Sequence, residues 1–262
     1  MPKITVRNIL ELKESGKPIV ALTAYDYFTA KYIDSAGVDI ILVGDSLEMV
    51  IYGSDTTLTA NMDKMLFHTE AVAKATKNAM VVGDMPFLSY QGSLGDAVLN
   101  AGRFLQAGAQ AVKIEGGWKF SAVVRAIVDS GIPVMGHIGM LPQSVHRIGG
   151  YITQGEDEDS SRRLFEDASS LQEAGAFSIV LEKVDSNTAK KITQNLNIPT
   201  IGIGAGSHCD GQILVINDIL GLYDKFTPPF VKQYTNLKEE IIRSAKSYAE
   251  DVRNKKFPKQ EG

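Results

Sequence analysis

Five short apolar runs of this sequence end in ionisable side chains. Val43-Gly44-Asp45-Ser46 and Val82-Gly83-Asp84-Met85-Pro86 close two of them, and Lys113-Ile114-Glu115, Gly136-His137 and Leu181-Glu182-Lys183 close three more. Carboxylates at equivalent ends of adjacent strands, which lie about 4.8 Å apart, can reach one cation. Two like charges held that near each other need a counter-ion or a shared proton. Oxygen donors without thiolate or imidazole neighbours suit Mg²⁺, which takes one or two carboxylates and keeps several waters. The glycine before each aspartate lets backbone or ligand come close. Asp45 and Asp84 are therefore candidate metal ligands, with capping of the following loop as the competing role for either one.

Lys113 and Glu115 are two residues apart, so on a strand they share a face. The ammonium there can neutralise a substrate carboxylate, and Glu115 can meet the cation directly or through water. A structural ion pair closing the same end is equally compatible with the spacing. Glu182 ends an apolar strand, and apolar surroundings raise a carboxylate toward the range of a general base; its alternative is a partnership with Lys183. His137, at a strand end, is a possible supporting group for the chemistry or a satisfied structural histidine. His68 falls on a helix where capping or packing is expected. His208 and Cys209 match no zinc spacing. Gly202, Gly204 and Gly206 lack the dinucleotide spacing and read as close packing or, more weakly, a phosphate nest.

All of these groups depend on elements that deliver them to one place. The apolar runs are Ile19–Thr23, 40–43, 80–82, 111–114, 133–135, 178–181, 200–203 and 213–216, short and rich in Val and Ile. They are apolar on both parities, as strands buried on both faces of a parallel sheet are. Between them lie amphipathic stretches at 61–77, 94–106, 119–129, 157–173 and 186–196. The turns Ala36-Gly37, Ala107-Gly108, Ser130-Gly131 and Ala174-Gly175 sit where helix-ending glycines belong. Eight strands with helical crossovers predict a closed (β/α)8 TIM barrel as a single domain over 1–262, with an extra N-terminal helix at 6–14 and a C-terminal one at 236–253. Its weak link is 204–212, too short for a full helix. Segment Leu47–Ala60 is long for a βα loop and reads as a lid or a subunit contact.

Composition narrows the function further. With 44% of its 262 residues hydrophobic, the chain can fill a large core. A net charge of −4, with no basic run beyond Lys255-Lys256, argues against nucleic acid. No apolar stretch is long enough for a membrane span, and the charged N-terminus does not read as a signal peptide. One cysteine, Cys209, excludes an intrachain disulfide framework and fits a cytoplasmic protein.

The ordered motifs resemble the ketopantoate hydroxymethyltransferase family. They run from Thr23-Ala24-Tyr25-Asp26 through Gly44-Asp45-Ser46-Leu47, His68-Thr69, Gly83-Asp84-Met85-Pro86-Phe87 and Lys113-Ile114-Glu115-Gly116-Gly117. They continue with Gly136-His137-Ile138-Gly139, Pro142-Gln143-Ser144, Gly149-Gly150-Tyr151, Gln154-Gly155, the 201–206 glycine run and Cys209-Asp210-Gly211-Gln212. The resemblance implies a Mg²⁺-dependent enzyme of pantothenate synthesis, moving a hydroxymethyl unit from 5,10-methylenetetrahydrofolate to 3-methyl-2-oxobutanoate. It further implies Asp45 and Asp84 as metal ligands with Glu115 at the same ion, and Asp45, Ser46, Asp84 and Lys113 as oxo-acid contacts. Glu182 would be the proton acceptor, and the assembly a homo-oligomer, typically a decamer. Chelation of Mg²⁺ by a 2-oxo acid would polarise its carbonyl and stabilise an enolate. Two positions depart from the family pattern: Glu48 stands where a glycine is usual, and Asp185 where a proline is usual. The competing readings are a Mg²⁺-dependent lyase of a 2-oxo acid on a similar barrel, and a non-catalytic oligomeric scaffold.

Overall fold

The computed structural model describes residues 3–150 and 152–259; Tyr151, part of one quoted motif, lies outside them. Eight parallel strands close into a barrel in sequence order. They are β1 Ile19–Thr23, β2 Ile40–Val43, β3 Met80–Asp84, β4 Ala111–Glu115, β5 Val134–Gly139, β6 Ser178–Glu182, β7 Thr200–Ile203 and β8 Gly211–Leu214. The helices are α1 Val6–Glu14, α2 Tyr27–Ser35, α3 Leu47–Val50, α4 Met62–Ala75, α5 Leu94–Gln106, α6 Ser121–Asp129, α7 Val145–Ile148, α8 Glu158–Glu173, α9 Ser186–Asn195, α10 Ile216–Ile219 and α11 Leu237–Arg253. By contact the chain falls into two compact units, Met1–Leu214 and Val215–Gly262. The barrel belongs to the first; α10 and α11 belong to the second. None of the described helices is long and apolar enough to cross a membrane.

Local chemistry starts and stops the helices as the sequence suggests. Asp26, Asn61, Ser93 and Asp157 each accept a hydrogen bond from a first-turn amide of α2, α4, α5 and α8, satisfying a donor the helix cannot. Gly37, Gly108, Gly131 and Gly175 all take positive φ just past a helix end, where a side chain would be strained.

The strands sort their side chains by parity. Ile40 and Leu42, Met80 and Val82, Ala111, Met135, Val180, Ile201 and Ile213 form one buried cluster, to which α1 adds Ile9. The same parity, carried further toward the strand ends, reaches Asp84, Lys113, Glu115, His137 and Glu182. The barrel interior is thus apolar through its middle and ionisable at its C-terminal mouth. The opposite parity packs outward under the helices: a Cβ on Gly83 would meet the Phe104 ring at 2.3 Å, and one on Gly136 would meet Leu171 at 2.8 Å.

One strand differs from the sequence reading. β8 is Gly211–Leu214 rather than 213–216, and Ile216 opens α10. Gly211 pairs with Ile19, and a Cβ there would sit 2.5 Å from the Ile19 carbonyl. Close backbone approach, not a turn, is what that glycine serves. The 204–210 link carries no helix, as its length requires.

Candidate active site

The mouth is built around a buried lysine. Lys113 Nζ lies 2.6 Å from Asp84 Oδ1 and 3.7 Å from Glu115 Oε1, all three side chains being at most 5% exposed. Asp45 follows β2 on the turn that opens α3, and its backbone N–H donates to Asp84 Oδ2 at 3.2 Å. The two aspartates are therefore neighbours through both backbone and side chain. Ser46, next in the turn, shares a 2.8 Å hydrogen bond with the Tyr25 hydroxyl. On the other side, the His137 ring stands between two carboxylates, with Nδ1 3.4 Å from Glu115 Oε1 and Nε2 3.3 Å from Glu182 Oε2. Neither contact has the geometry of a hydrogen bond, and among the described residues neither ring nitrogen nor Glu115 Oε1 has a hydrogen-bond partner. They are close electrostatic contacts. Glu182 is the most open of the group, its side chain 18% exposed.

Burial sets the electrostatics. Asp45 is held well above the usual carboxylate range by burial first, then by the charges of Asp84 and Glu115, against which Lys113 works. Asp84 is raised by burial too, less so because Lys113 is on it. For Glu115 burial is outweighed by His137 and Lys113, and the carboxyl lies below its ordinary value. Burial also opposes the Lys113 charge, but Asp84, Glu115 and Asp45 together raise its pKa. Burial and Lys113 press the His137 imidazole down; Glu115 and Glu182 overcome them and hold it at about 9.

Three buried carboxylates facing one ammonium leave the aspartate side of the mouth short of positive charge. The raised Asp45 expresses that shortage, and a divalent cation of oxygen preference would relieve it. Among the described residues no three His, Cys, Asp or Glu side chains form a ready cage. The donor set fits an ion held by Asp45 and Asp84 that keeps waters, with Glu115 behind them.

Sequence reasoning missed two residues that hold this arrangement. Gln143, on the 3-10 turn Pro142–Ser144 after β5, donates its side-chain amide to Asp45 Oδ2 and its backbone N–H to Glu115 Oε2, each at 3.0 Å. Tyr90 accepts from the Glu115 backbone N–H at 3.2 Å, and its hydroxyl lies 2.9 Å from Gln143 Oε1. The signal for Gln143 was a proline-marked turn just past a strand end, quoted only as a motif.

The remaining expectations find ordinary roles. Glu48 is buried and paired with Lys64 at 2.6 Å, with Thr59 and Ser54 hydroxyls donating to its other oxygen at 3.0 and 3.3 Å. It ties the 51–60 loop and α4 to the turn bearing Asp45. Asp185 caps α9, accepting from the Asn187 and Thr188 amides. His68, on α4, contacts the Tyr25 carbonyl and the Tyr52 hydroxyl. Leu47–Val50 of the expected 47–60 loop is helical.

Comparison with known proteins places this geometry. The family model for ketopantoate hydroxymethyltransferase matches residues 3–260. The 3-methyl-2-oxobutanoate hydroxymethyltransferase of Syntrophus aciditrophicus (strain SB) is 53% identical over 260 residues, covering 99% of this chain and 96% of its own. The protein of that name from Pelobacter propionicus (strain DSM 2379 / NBRC 103807 / OttBd1) is 54% identical with the same coverage. Among solved structures, phosphonopyruvate hydrolase in complex with oxalate and Mg²⁺ superposes with a TM-score of 0.64 at 14% identity, covering 96% of this chain and 88% of its own. A 2,3-dimethylmalate lyase gives 0.63 at 16%, covering 98% and 90%. Identities that low carry the barrel alone. The sequence matches run nearly the full length of the chain, and on their strength the chain belongs to the ketopantoate hydroxymethyltransferase family.

Proposed function

We propose that the chain transfers a hydroxymethyl group from 5,10-methylenetetrahydrofolate to 3-methyl-2-oxobutanoate, giving 2-dehydropantoate and tetrahydrofolate for pantothenate synthesis. The observation that carries the reading is the single mouth where Asp84, Lys113, Glu115, His137 and Glu182 meet, with Asp45 hydrogen-bonded to Asp84. Mg²⁺ held by Asp45 and Asp84 would supply Lewis-acid polarisation of the oxo group.

The chain's own residues do the rest. Lys113 offers a permanent positive charge to the substrate carboxylate, since its carboxylate neighbours keep it protonated. The Ser46 hydroxyl, oriented by Tyr25, gives the oxo acid a polar contact. Glu182, the most accessible carboxylate of the group, accepts the C3 proton, and the carbon so freed bonds to the folate-borne methylene. His137, wedged between Glu115 and Glu182, holds that base in place and balances its charge. The methylene's two bonds to folate nitrogen break in turn, the first as the C–C bond forms and the second as water supplies the hydroxyl, and the nitrogens take up protons to give tetrahydrofolate.

Relatives near 50% identity carry the transferase name, which favours this reading over a lyase of the same fold. Turnover that requires methylenetetrahydrofolate as well as Mg²⁺ separates the two. The sharper test is Glu182→Gln. We expect this variant to lose solvent exchange of the substrate C3 proton while still binding the oxo acid with Mg²⁺; full exchange would remove Glu182 from its role. The reading carries with it a cytoplasmic setting and a homo-oligomer, expected as a decamer, whose mass light scattering measures.

A further inference from the structure

Gln143 uses its backbone N–H and every hydrogen-bonding position of its side chain. Its Nε2 carries two protons, directed at Asp45 Oδ2 and the Met85 carbonyl, both at 3.0 Å. Its Oε1 faces the Tyr90 hydroxyl at 2.9 Å and Gln91 Nε2 at 3.5 Å. Its backbone N–H donates to Glu115 Oε2 at 3.0 Å. The residue is 5% exposed, so water does not substitute for these partners. The amide can sit only one way round: reversed, its oxygen would face the Asp45 carboxylate and the Met85 carbonyl, and its NH2 would face Gln91 Nε2.

Those contacts join the C-terminal ends of four successive strands. Asp45 follows β2, Met85 and Tyr90 follow β3, Glu115 ends β4, and Gln143 itself comes from the segment after β5. Tyr90 extends the link, because its hydroxyl also lies 3.1 Å from the Glu115 carbonyl and accepts the Glu115 N–H. One hydroxyl proton serves one of its two acceptors at a time. The Tyr90 ring is held in turn against Phe120, centroids 5.4 Å apart.

We propose that Gln143 is a positioning residue which sets the orientation of the Asp45 and Glu115 carboxylates for the cation, clamped from behind by Tyr90. The proposal rests on the reading of Asp45 and Asp84 as cation-holding groups. N–H donors on Asp45 Oδ2 and Glu115 Oε2 fix the rotation of each carboxylate, and Gln143 makes no bond to the other oxygen of either. Outer-shell partners of this kind usually change metal affinity by 10–100-fold when removed.

The test uses the intact protein and Mn²⁺ as the probe, with free Mn²⁺ counted by its electron paramagnetic resonance signal. Gln143→Met should raise the Mn²⁺ dissociation constant about 10–100-fold. Tyr90→Phe, which keeps the ring and removes only the hydroxyl, should raise it several-fold and folds even if the first variant does not. Thermal midpoints in EDTA are read alongside. A residue that merely stabilised the loops would lower those midpoints and leave the dissociation constant of the folded protein alone. Wild-type binding with unchanged affinity in both variants overturns the role of Gln143 by itself. Failure of the wild-type protein to take up Mn²⁺ overturns the cation reading, and this inference with it.

Discussion

Replacing Asp45 by Asn should make the metal-free protein more stable. Asp45 is 4% exposed, and its surroundings hold two further carboxylates and one ammonium. Unit charges about 5 Å apart interact by roughly 3 kcal/mol at an effective dielectric near 20. Two repulsions against one attraction leave a net penalty of about that size on the charged form, before burial is added. The amide of Asn keeps an oxygen for the Gln143 donor, at a cost of about 1 kcal/mol for exchanging a charged acceptor for a neutral one. The balance is a gain of about 1–2 kcal/mol, or roughly 2–8 °C in thermal midpoint for a chain this long.

The gain must also depend on pH, with a definite sign. The folded-state pKa of Asp45 lies above its unfolded value of about 3.9. Between those values the folded state binds more protons, so the wild type loses stability as pH rises through that window. Asn does not titrate. The advantage of Asp45→Asn should therefore vanish near pH 4 and widen as pH climbs. Differential scanning fluorimetry in EDTA from pH 4 to 8, repeated with Mg²⁺, reads both effects. With Mg²⁺ at about 100 times its dissociation constant the wild type should gain about 2.7 kcal/mol, and the variant nothing. A variant less stable than wild type in EDTA at pH 8, or one that keeps the full Mg²⁺ response, would refute the reasoning.

Two further outcomes follow from the same accounting. Lys113→Met should cost the metal-free protein about 3–5 kcal/mol, measured by urea unfolding, because it removes the one ammonium beside buried Asp84 and leaves Glu115 only the His137 imidazole. Glu48→Gln should move stability opposite to Asp45→Asn, lowering it by about 1–2 kcal/mol: Glu48 is buried but fully partnered, and Lys64, whose side chain is 33% exposed, can turn to water.

The contrast between Asp45 and Glu48 also marks what could be read from the sequence. Strand-end position identified all six charged or ionisable mouth residues: a parallel barrel dictates the pole, and period-two alternation the face, of Asp84, Lys113, Glu115, His137 and Glu182, while Asp45, on the turn just past β2, was found by its pole alone. The eight strands were legible as short Val- and Ile-rich runs apolar on both parities, although β8 begins two residues before its apolar run, at Gly211, which pairs with Ile19. Gln143 and Tyr90 were not legible. Both lie on irregular segments, where no period ties a side chain to a direction, and their partners are 25 to 98 residues away in sequence. Glu48 drew notice only as a departure from a family pattern. Its partners, Ser54, Thr59 and Lys64, lie within 16 residues, yet nothing in local spacing says that the carboxylate turns inward.

Register explains why the mouth residues meet at all. Asp84 pairs with Lys113 and Glu115 with His137, and both pairs are in side-chain contact, while His137 is level with Val180, two residues short of the Glu182 it touches. A (β/α)8 barrel has a shear of about one residue per strand, and a ring at constant height must step forward by that amount at each strand. Starting from Asp84, one step lands on Ile114, two reach His137 and three land on Leu181, so the inward-facing side chains at or beside this height are Asp84, Lys113, Glu115, His137 and Glu182. Those are the side chains found within 2.6 to 3.7 Å of one another. A one-residue slip of β4 would turn Lys113 and Glu115 out toward the helices and bring Ile114 into the mouth. The apolar cluster of Met80, Val82, Ala111, Met135 and Val180 forbids that slip, so the packing of the barrel floor fixes the charge arrangement at its top.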